Sequence, residues 1–394
     1  MKIGVVFEGE LHGGGGYQAQ LSTIIELQKL ENYSIMAIVF STENKTVLEK
    51  FGVETILIKN SFLNNALKIV SRQEWFYFFS SRFKLITAFE KILHLHGVDL
   101  VYFLAPSELS LDLVATNYVI TVWDLCHRDT PEFPEVNFYR EFERREVLYR
   151  KSLVKAVAVL VDSQLGKENT IRRYGVDECR VHVAQFSPSV NIHETMKIDV
   201  KQKYTIEGEY VYYPAQFWSH KNHTYIIDAI AILKSKGIIL TAVFSGSDKG
   251  NLEHVLHYAK LRSVDNLIKY IGFAENEELY CLYKQSLALV MPSYFGPTNI
   301  PPLEAFAIGT PVIYSDIDGL RDQVGEAALL CDLKTPDSLV GHLISLVNSG
   351  SLRHQMIEKG NIRLRELQQS NITNTLNEIF CGFALKLKCW KKDQ

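Results

Sequence analysis

The chain has 394 residues, which is enough for two domains of ordinary size, each with its own hydrophobic core. A formal net charge of -3 excludes a general attraction to nucleic acid, so any anion site has to be local. The six cysteines occur without C-x-x-C spacing, which argues against a zinc site or disulfide framework and favours reduced thiols in the cytoplasm.

The first ten residues, MKIGVVFEGE, predict a buried strand rather than a signal peptide, because the apolar run is short and ends at Glu8. Four glycines at 13–16 follow, ahead of a helical pattern. A glycine-rich turn lets the backbone approach a phosphate closely, and the helix behind it offers unpaired N–H groups. By itself the turn fits a plain strand-to-helix connection equally well.

Short apolar runs alternate with helix-length amphipathic segments along the whole chain. This alternation predicts parallel sheets with helices on both faces, and its extent predicts two such domains. The polar stretch 185–209 predicts a linker, which gives domains 1–190 and 191–375 and a C-terminal helix at 376–394. No run is long enough to cross a membrane. The predicted strands are 3–7, 35–40, 55–58, 100–104, 119–122, 156–161, 210–213, 241–245, 268–271, 288–291, 311–314 and 328–330.

The segment TVWDLCHRDTPEFP, residues 121–134, follows one of the predicted strands. Asp124 and His127 lie where that strand ends, which is where sheets of this kind carry reactive groups. Either side chain contacts substrate, or it forms a structural hydrogen bond that shapes the loop. The sequence leaves both interpretations open.

The segment VYYPAQFWSHKNHTYIIDAI, residues 211–230, predicts a strand that ends before a helix beginning near Asn222. Lys221 lies at this junction, so its ammonium group is placed to neutralise a diphosphate beside the helix start. A surface lysine is the alternative.

The segment FGPTNIPPLEAFAIGTPVI, residues 295–313, predicts a polar loop, a short helix and a strand. Pro301 and Pro302 suit a first helical turn, and Gly309 suits the helix end. The amides of residues 298–300 are placed to face a phosphate. Glu304, one turn further on, is suited to accept hydrogen bonds from a vicinal diol such as a ribose.

These motifs resemble the retaining glycosyltransferases of family 4, in which two glutamates flank a glycine-rich loop ahead of P-P-L-E-A. Glu304 matches the second glutamate, which in that family holds the ribose. The first would fall at position 296, where this chain has Gly296. The family's first glutamate helps to hold the donor sugar, so Asn299 or the loop backbone is expected to do so here.

The resemblance implies the GT-B fold: an α/β architecture of two Rossmann-like, doubly wound parallel-sheet domains facing a cleft. The acceptor belongs to the first domain and the nucleotide sugar to the second, and the C-terminal helix crosses back to the first. Gln216 stands near the position of a family arginine. The implied catalytic residues are Asp124, His127, Lys221 and Glu304. The implied donor-binding residues are Gly14, Gly15, Gly16, Gln216, Lys221, Gly246, Phe273, Thr298, Asn299, Ile300 and Glu304.

The likeness is greatest to bacterial enzymes that assemble O-antigen, capsule or lipopolysaccharide, mannosyltransferases among them. It implies transfer of a hexose, with retention, from a GDP- or UDP-linked sugar to a hydroxyl of a growing, lipid-linked surface glycan. No metal or other cofactor and no nucleic acid partner is expected. Two alternatives remain: a GT-B epimerase that acts on the sugar nucleotide alone, and a degenerate nucleotide-sugar binder.

Two further features have competing interpretations. Asp316 and Asp318 suggest a magnesium pair, but Gly319 follows them, so a solvated turn is preferred and no metal site is predicted. The aromatic, basic stretches 72–84 and 380–392 either rest on an anionic membrane or pack in the core. The expected location is the cytoplasm, with peripheral contact at the inner face of the cytoplasmic membrane as the membrane interpretation.

Overall fold

The computed structural model describes residues 1–10, 14–59, 82–185, 198–296, 298–368 and 372–390. The chain divides into two compact units. Unit 1 comprises Met1–Leu125, Arg140–Gln185 and Ser370–Gln394, and unit 2 comprises Cys126–Tyr139 and Phe186–Gln369.

Unit 1 is built on a parallel sheet whose described strands have the order β3-β2-β1-β4-β5-β6-β7. Val5 of β1 pairs with Ala37 of β2 on one side and with Tyr102 of β4 on the other. The strands are β1 (Lys2–Phe7), β2 (Ser34–Val39), β3 (Glu54–Leu57), β4 (Leu100–Phe103), β5 (Asn117–Val122), β6 (Ala158–Val161) and β7 (Val181–Val183).

Helices cover both faces of this sheet, which is why successive side chains of one strand enter different cores. Val5 belongs to one hydrophobic cluster and Val6 to another. The last described helix, Ile372–Leu387, buries Phe380 in the same cluster as Val5, with the Phe380 ring 5.5 Å from that of Tyr33. The longer helices of unit 1 are Gly15–Leu27, Thr42–Lys50, Ala88–Leu95, Glu141–Ser152, Gln164–Tyr174 and Ile372–Leu387.

Unit 2 repeats the architecture with a parallel sheet of order β10-β9-β8-β11-β12-β13. Its strands are β8 (Tyr210–Pro214), β9 (Thr241–Ser245), β10 (Ile268–Tyr270), β11 (Ala288–Met291), β12 (Val312–Ser315) and β13 (Leu329–Cys331). Its helices are Cys126–Asp129, Pro134–Asn137, Val200–Lys203, His223–Ser235, Leu252–Leu261, Asn276–Lys284, Ile300–Ile308, Leu320–Val324, Asp337–Asn348 and Gly350–Gln368. Both sheets have the strand order of a doubly wound α/β fold.

Every strand predicted from the sequence is present, with ends that differ by at most two residues, and the fold class is confirmed. The three-residue strand β7 was not predicted.

The structure departs from the predicted domain division in two places. Residues Cys126–Tyr139 belong to unit 2 rather than to the N-terminal unit, because Glu135 and Phe133 contact residues of unit 2. Residues 186–197 of the predicted linker lie outside the described residues, but 198–209 are structured rather than loose. Val200 is fully buried there, and the Tyr204 hydroxyl donates to Glu278 at 2.8 Å.

The described helices and the two aromatic, basic stretches bear on the predicted membrane contact. Within the described ranges, no helix combines the length and the apolar character needed to span a bilayer. The stretch 72–81 lies outside those ranges. In the C-terminal stretch, Phe380 and Phe383 are buried in unit 1, whereas Leu385 and Trp390 are exposed.

Candidate active site

The strand order of unit 2 reverses between β8 and β11, which are hydrogen-bonded neighbours. In open α/β sheets, ligands bind beyond the carboxyl ends of the strands at such a switch point. The loop after β8 carries Lys221, and the loop after β11 leads into the helix Ile300–Ile308 that carries Glu304. Two of the sequence-predicted groups therefore leave the sheet side by side.

Lys221 ends a single 3-10 turn, Ser219–Lys221, immediately before the helix His223–Ser235. Asn222 joins the two with a positive φ of 55°, a conformation that asparagine tolerates better than most residues. The hydroxyl of Tyr213 donates to the Lys221 backbone carbonyl at 2.9 Å. The Lys221 ammonium reaches Asn299, donating to its Oδ1 at 3.2 Å, so the lysine faces the start of the Glu304 helix.

Glu304 lies in the second turn of its helix with 7% of its surface exposed. Its Oε2 accepts a hydrogen bond of 2.8 Å from the Tyr283 hydroxyl. Burial, together with the nearby Glu304 carboxylate, raises the pKa of Tyr283 well above its usual value, so the hydroxyl remains a donor. The predicted helix ends at Gly309 in the left-handed conformation, as expected for a terminating glycine.

Three buried tyrosines hold the site, and the sequence analysis missed them. Tyr213 bonds to Lys221, Tyr283 to Glu304 and Tyr314 to Asn299. A buried tyrosine hydroxyl needs a hydrogen-bond partner, and here each partner is a site residue. The available signal was the tyrosines at the ends of the predicted strands 210–213 and 311–314.

The amides at the start of the Glu304 helix were predicted to face a phosphate, and the structure differs from this prediction at Asn299. The Asn299 N–H group donates to Gln323 Oε1 at 3.0 Å, so it is engaged within the protein and does not point to a phosphate. The Asn299 side chain instead takes part in the site through Lys221. Thr298 and Ile300 flank it at the helix start.

The loop at Gly246 closes tightly against the loop after β8. Its φ is 143°, and an added Cβ would lie 2.3 Å from the Ala215 carbonyl oxygen, so no side chain fits. The Gly246 amide donates to the Gly272 carbonyl at 2.8 Å, which places the adjoining Phe273, 41% exposed, beside the same loop. Gln216 accepts a hydrogen bond from Trp218 Nε1 at 3.0 Å, so its side chain orients an aromatic ring.

Glu135 reaches this region from the segment Cys126–Tyr139. Its Oε1 accepts from the His220 backbone N–H at 2.9 Å and pairs with His220 Nδ1, while the His220 ring stacks on Phe295 with centroids 3.8 Å apart. Burial alone would raise the pKa of Glu135, but the hydrogen bonds from His220 outweigh it and lower the pKa. The pair anchors the residue that precedes Lys221.

Asp124 is assigned to unit 1 and His127 to unit 2. Asp124 Oδ1 accepts from Arg145 at 2.9 Å, and the Tyr149 hydroxyl donates to the Asp124 carbonyl at 3.3 Å. These bonds match the loop-shaping alternative for Asp124. His127 is completely buried in the short helix Cys126–Asp129.

Each described glycine in the glycine-rich turn of unit 1 has its own structural role. Gly14 has a positive φ of 70° and Gly15 begins the helix Gly15–Leu27. An added Cβ at Gly16 would lie 3.0 Å from the Trp123 ring, so this position is small because of packing. Gly13 lies outside the described residues.

The carboxylates of Asp316 and Asp318 form ion pairs with Arg321, at 2.6 and 3.0 Å. This pairing agrees with the solvated turn. In the described part of the chain, no group of three or more histidine, cysteine, aspartate or glutamate side chains is arranged to hold a metal ion.

Comparison with known proteins points to one family for the second half of the chain. Residues 195–363 match the family described as "Glycosyl transferases group 1", and this range contains the whole Lys221, Asn299 and Glu304 arrangement. The fold of the chain is GT-B, and its matched part is similar to glycosyltransferases. It resembles the enzymes of O-antigen assembly, as the sequence motifs indicate.

Two curated relatives and one solved structure illustrate what this chain is similar to. It is 24% identical over 265 residues to "O-antigen chain mannosyltransferase B" of Escherichia coli, covering 66% of this chain and 69% of the relative. It is 25% identical over 319 residues to "O-antigen chain mannosyltransferase RfbU" of Salmonella typhimurium, covering 80% and 82%. The crystal structure of Anabaena Alr3699/HepE in complex with UDP-glucose superimposes with a TM-score of 0.72 at 17% identity, over 98% of this chain and 100% of the other.

Proposed function

We propose that this protein is a glycosyltransferase that moves a hexose from a GDP- or UDP-linked sugar to a hydroxyl of a growing, lipid-linked surface glycan, with retention and without a metal ion. The observation that carries the proposal is the 3.2 Å hydrogen bond from Lys221 to Asn299. It joins the lysine loop to the start of the Glu304 helix at the switch point of unit 2.

The two charged groups suit two different parts of a nucleotide. The Lys221 ammonium and the positive end of the helix Ile300–Ile308 favour an anion, which fits the diphosphate. The Glu304 carboxylate disfavours a phosphate but accepts hydrogen bonds from hydroxyl groups, which fits the ribose diol. A nucleoside diphosphate supplies both groups in one molecule.

The reaction follows from stabilising the departing diphosphate. The bond between the anomeric carbon and the phosphate oxygen breaks, and a bond from the same carbon to the acceptor oxygen forms on the same face. The acceptor hydroxyl proton passes to the leaving phosphate. Lys221 stabilises the negative charge that develops on the diphosphate, which is where preorganised donors accelerate such a step most.

The relatives support the substrate class. Two of them are named as O-antigen mannosyltransferases, which supports mannose as the hexose and a surface glycan as the acceptor. The Anabaena structure contains UDP-glucose, which supports a nucleoside diphosphate sugar as the donor.

Membrane contact is the remaining part of the proposal. The C-terminal end exposes Leu385 and Trp390, next to Lys386 and Lys388. Apolar side chains interleaved with lysines favour an anionic lipid surface. We expect the protein to sediment with anionic liposomes at low salt and less at high salt. Binding that depends on neither the lipid charge nor the salt concentration would refute this part of the proposal.

The donor is tested first by binding. Thermal unfolding is followed with GDP, UDP and dTDP, because a ligand that binds only the folded protein raises the melting temperature. We expect one of GDP and UDP to respond clearly, with loss of the response in Lys221→Met.

Turnover then separates the proposal from its alternatives. The sugar nucleotide of the responding base is incubated with and without lipid-linked glycan acceptors from O-antigen assembly. We expect sugar transfer only with acceptor, and interconversion of the sugar without acceptor would identify an epimerase instead. Binding without turnover on any acceptor would identify a degenerate binder.

A further inference from the structure

The backbone at position 296 disfavours a side chain, and one placed there would crowd a neighbouring residue. Gly296 has a φ of 109°, which strains any residue with a Cβ. A Cβ built there would lie 3.3 Å from Asn299 Nδ2 and 3.4 Å from Asn299 Oδ1. The Asn299 carboxamide therefore stands where a side chain at 296 would project.

Gln323 clamps the backbone of Asn299 at both of its polar groups. The Asn299 N–H donates to Gln323 Oε1 at 3.0 Å, and Gln323 Nε2 donates to the Asn299 carbonyl at 2.7 Å. A backbone N–H can only donate and a carbonyl can only accept, so these two bonds fix the orientation of the Gln323 amide. Gln323 is 4% exposed, in the helix Leu320–Val324.

The fixed Gln323 amide determines the direction of the next hydrogen bond. Gln323 Oε1 accepts from the Tyr314 hydroxyl at 3.1 Å, which leaves the Tyr314 oxygen to accept from Asn299 Nδ2 at 2.6 Å. Lys221 donates to Asn299 Oδ1 at 3.2 Å. The Asn299 carboxamide thus has one orientation, with its oxygen toward the lysine and its nitrogen toward the tyrosine.

A carboxamide nitrogen carries two hydrogens, and Tyr314 takes one of them. Asn299 is half-buried, and the edge of its carboxamide, Nδ2 with Oδ1, lies against Gly296. With the oxygen bonded to Lys221, the second hydrogen on Nδ2 is the group that can donate to an oxygen entering there. A carboxylate in the same place would offer acceptors alone.

Of the two neighbours of a diphosphate in a sugar nucleotide, the ribose is assigned to Glu304, which leaves the sugar for Asn299. We propose that Asn299 determines donor-sugar specificity by donating a hydrogen bond to a sugar oxygen, and that Gln323 and Tyr314 are positioning residues that fix this donor. The inference rests on the proposed function of the same site. Its ligand group is a hydrogen-bond-accepting oxygen of the donor sugar.

The test measures the sugar increment, defined as the Kd of a bare nucleoside diphosphate divided by the Kd of its sugar nucleotide. Calorimetry with UDP and UDP-glucose, and with GDP and GDP-mannose, gives this ratio for the pair that the wild type binds. Asn299→Ala is expected to lower the increment about tenfold, the loss of one well-formed hydrogen bond. An increment unchanged by Asn299→Ala overturns the proposal.

A double-mutant cycle tests the positioning role. Tyr314→Phe is expected to lower the increment about threefold in the wild type, because the carboxamide loses one anchor, and to have no further effect in Asn299→Ala. Equal losses in both backgrounds would show that Tyr314 does not act through Asn299. The matched control is Tyr210→Phe, which also removes one buried tyrosine hydroxyl of unit 2; Tyr210 stands at the start of β8 and donates to the Leu282 carbonyl at 2.7 Å, so this variant should leave the increment unchanged.

Different results would refute the proposed function and the role of Asn299. A protein that binds neither UDP nor GDP overturns the proposed function and this inference together. A protein that binds a nucleoside diphosphate normally, but whose sugar increment ignores Asn299, overturns this inference alone.

Discussion

Replacing Glu304 by glutamine tests the site with the least change in shape. The carboxylate is nearly buried, and its Oε2 accepts a hydrogen bond of 2.8 Å from Tyr283, which fixes the orientation of the group. A hydrogen bond to a charged acceptor contributes about 1 kcal/mol more than one to a neutral acceptor. Two such bonds to a ribose correspond to about 2 kcal/mol, or about a 30-fold weaker nucleotide.

The assay compares calorimetric Kd values for a nucleoside diphosphate and its 2′-deoxy form. We expect the wild type to bind the ribose form more tightly than the 2′-deoxy form. Glu304→Gln should lose most of that preference, because the substitution weakens the hydrogen bonds from the ribose hydroxyls, and the deoxy form lacks one of those hydroxyls. Glu278→Gln is the matched control, since Glu278 is also a buried glutamate of unit 2 that accepts from a tyrosine hydroxyl, Tyr204, at 2.8 Å. Its preference should match the wild type. An unaltered preference in Glu304→Gln, or an equal loss in the control, would refute the assignment of Glu304 to the ribose.

Three further predictions concern charge, backbone and burial. Lys221→Met should weaken nucleoside diphosphate binding about 10- to 100-fold, the loss of a charge-assisted hydrogen bond, whereas Lys284→Met, which removes a lysine bonded to the far end of the Glu304 helix, should leave calorimetric binding unchanged. Gly246→Ala should lower the free energy of unfolding in urea by about 3 kcal/mol, because strain and a backbone clash add, whereas Gly250→Ala, with nothing within 4 Å, should cost about 1 kcal/mol. Burial, aided by nearby positive charge, lowers the pKa of His223 from 6.5 to about 3. As the pH drops below 6.5, the His223 side chain is therefore protonated in the unfolded chain but not yet in the folded one. The free energy of unfolding should fall as the pH drops from 6.5 toward 3. That contribution amounts to about 1.4 kcal/mol per pH unit and should be absent from urea titrations of His223→Phe, while an identical slope in the variant would contradict the assignment.

Sequence reasoning located the loops of the site because each follows a predicted strand, and parallel strands deliver their carboxyl ends to one edge. Lys221 and Glu304 were predicted in this way. The Asn299 amide was expected to face a phosphate, because an N–H group at a helix start looks available, but in the structure it donates to Gln323. Gln323 itself has no local pattern that marks it, because its role depends on a hydrogen bond to a residue 24 positions away.

The three buried tyrosines of the site could not be predicted from the sequence for the same reason. A tyrosine in an apolar strand looks like core packing, and its hydroxyl partner is chosen by the neighbouring strand or helix. Tyr283 lies 21 positions from Glu304, and Tyr314 lies 15 from Asn299. Their common function at one site is therefore a property of the assembled sheet.

The amino-acid sequence by itself determined the alternation of strands and helices, the doubly wound class, and the positions at which the chain leaves each strand, because hydrophobic periodicity and the placement of glycine and proline act over a few residues. Only the tertiary structure decided which unit the segment Cys126–Tyr139 joins, that Asp124 pairs with Arg145, and that Asn299 presents its side chain rather than its amide. The physical reason is that hydrogen bonds and ion pairs between distant segments depend on distance and direction in space. Those quantities are set when the sheets and helices pack.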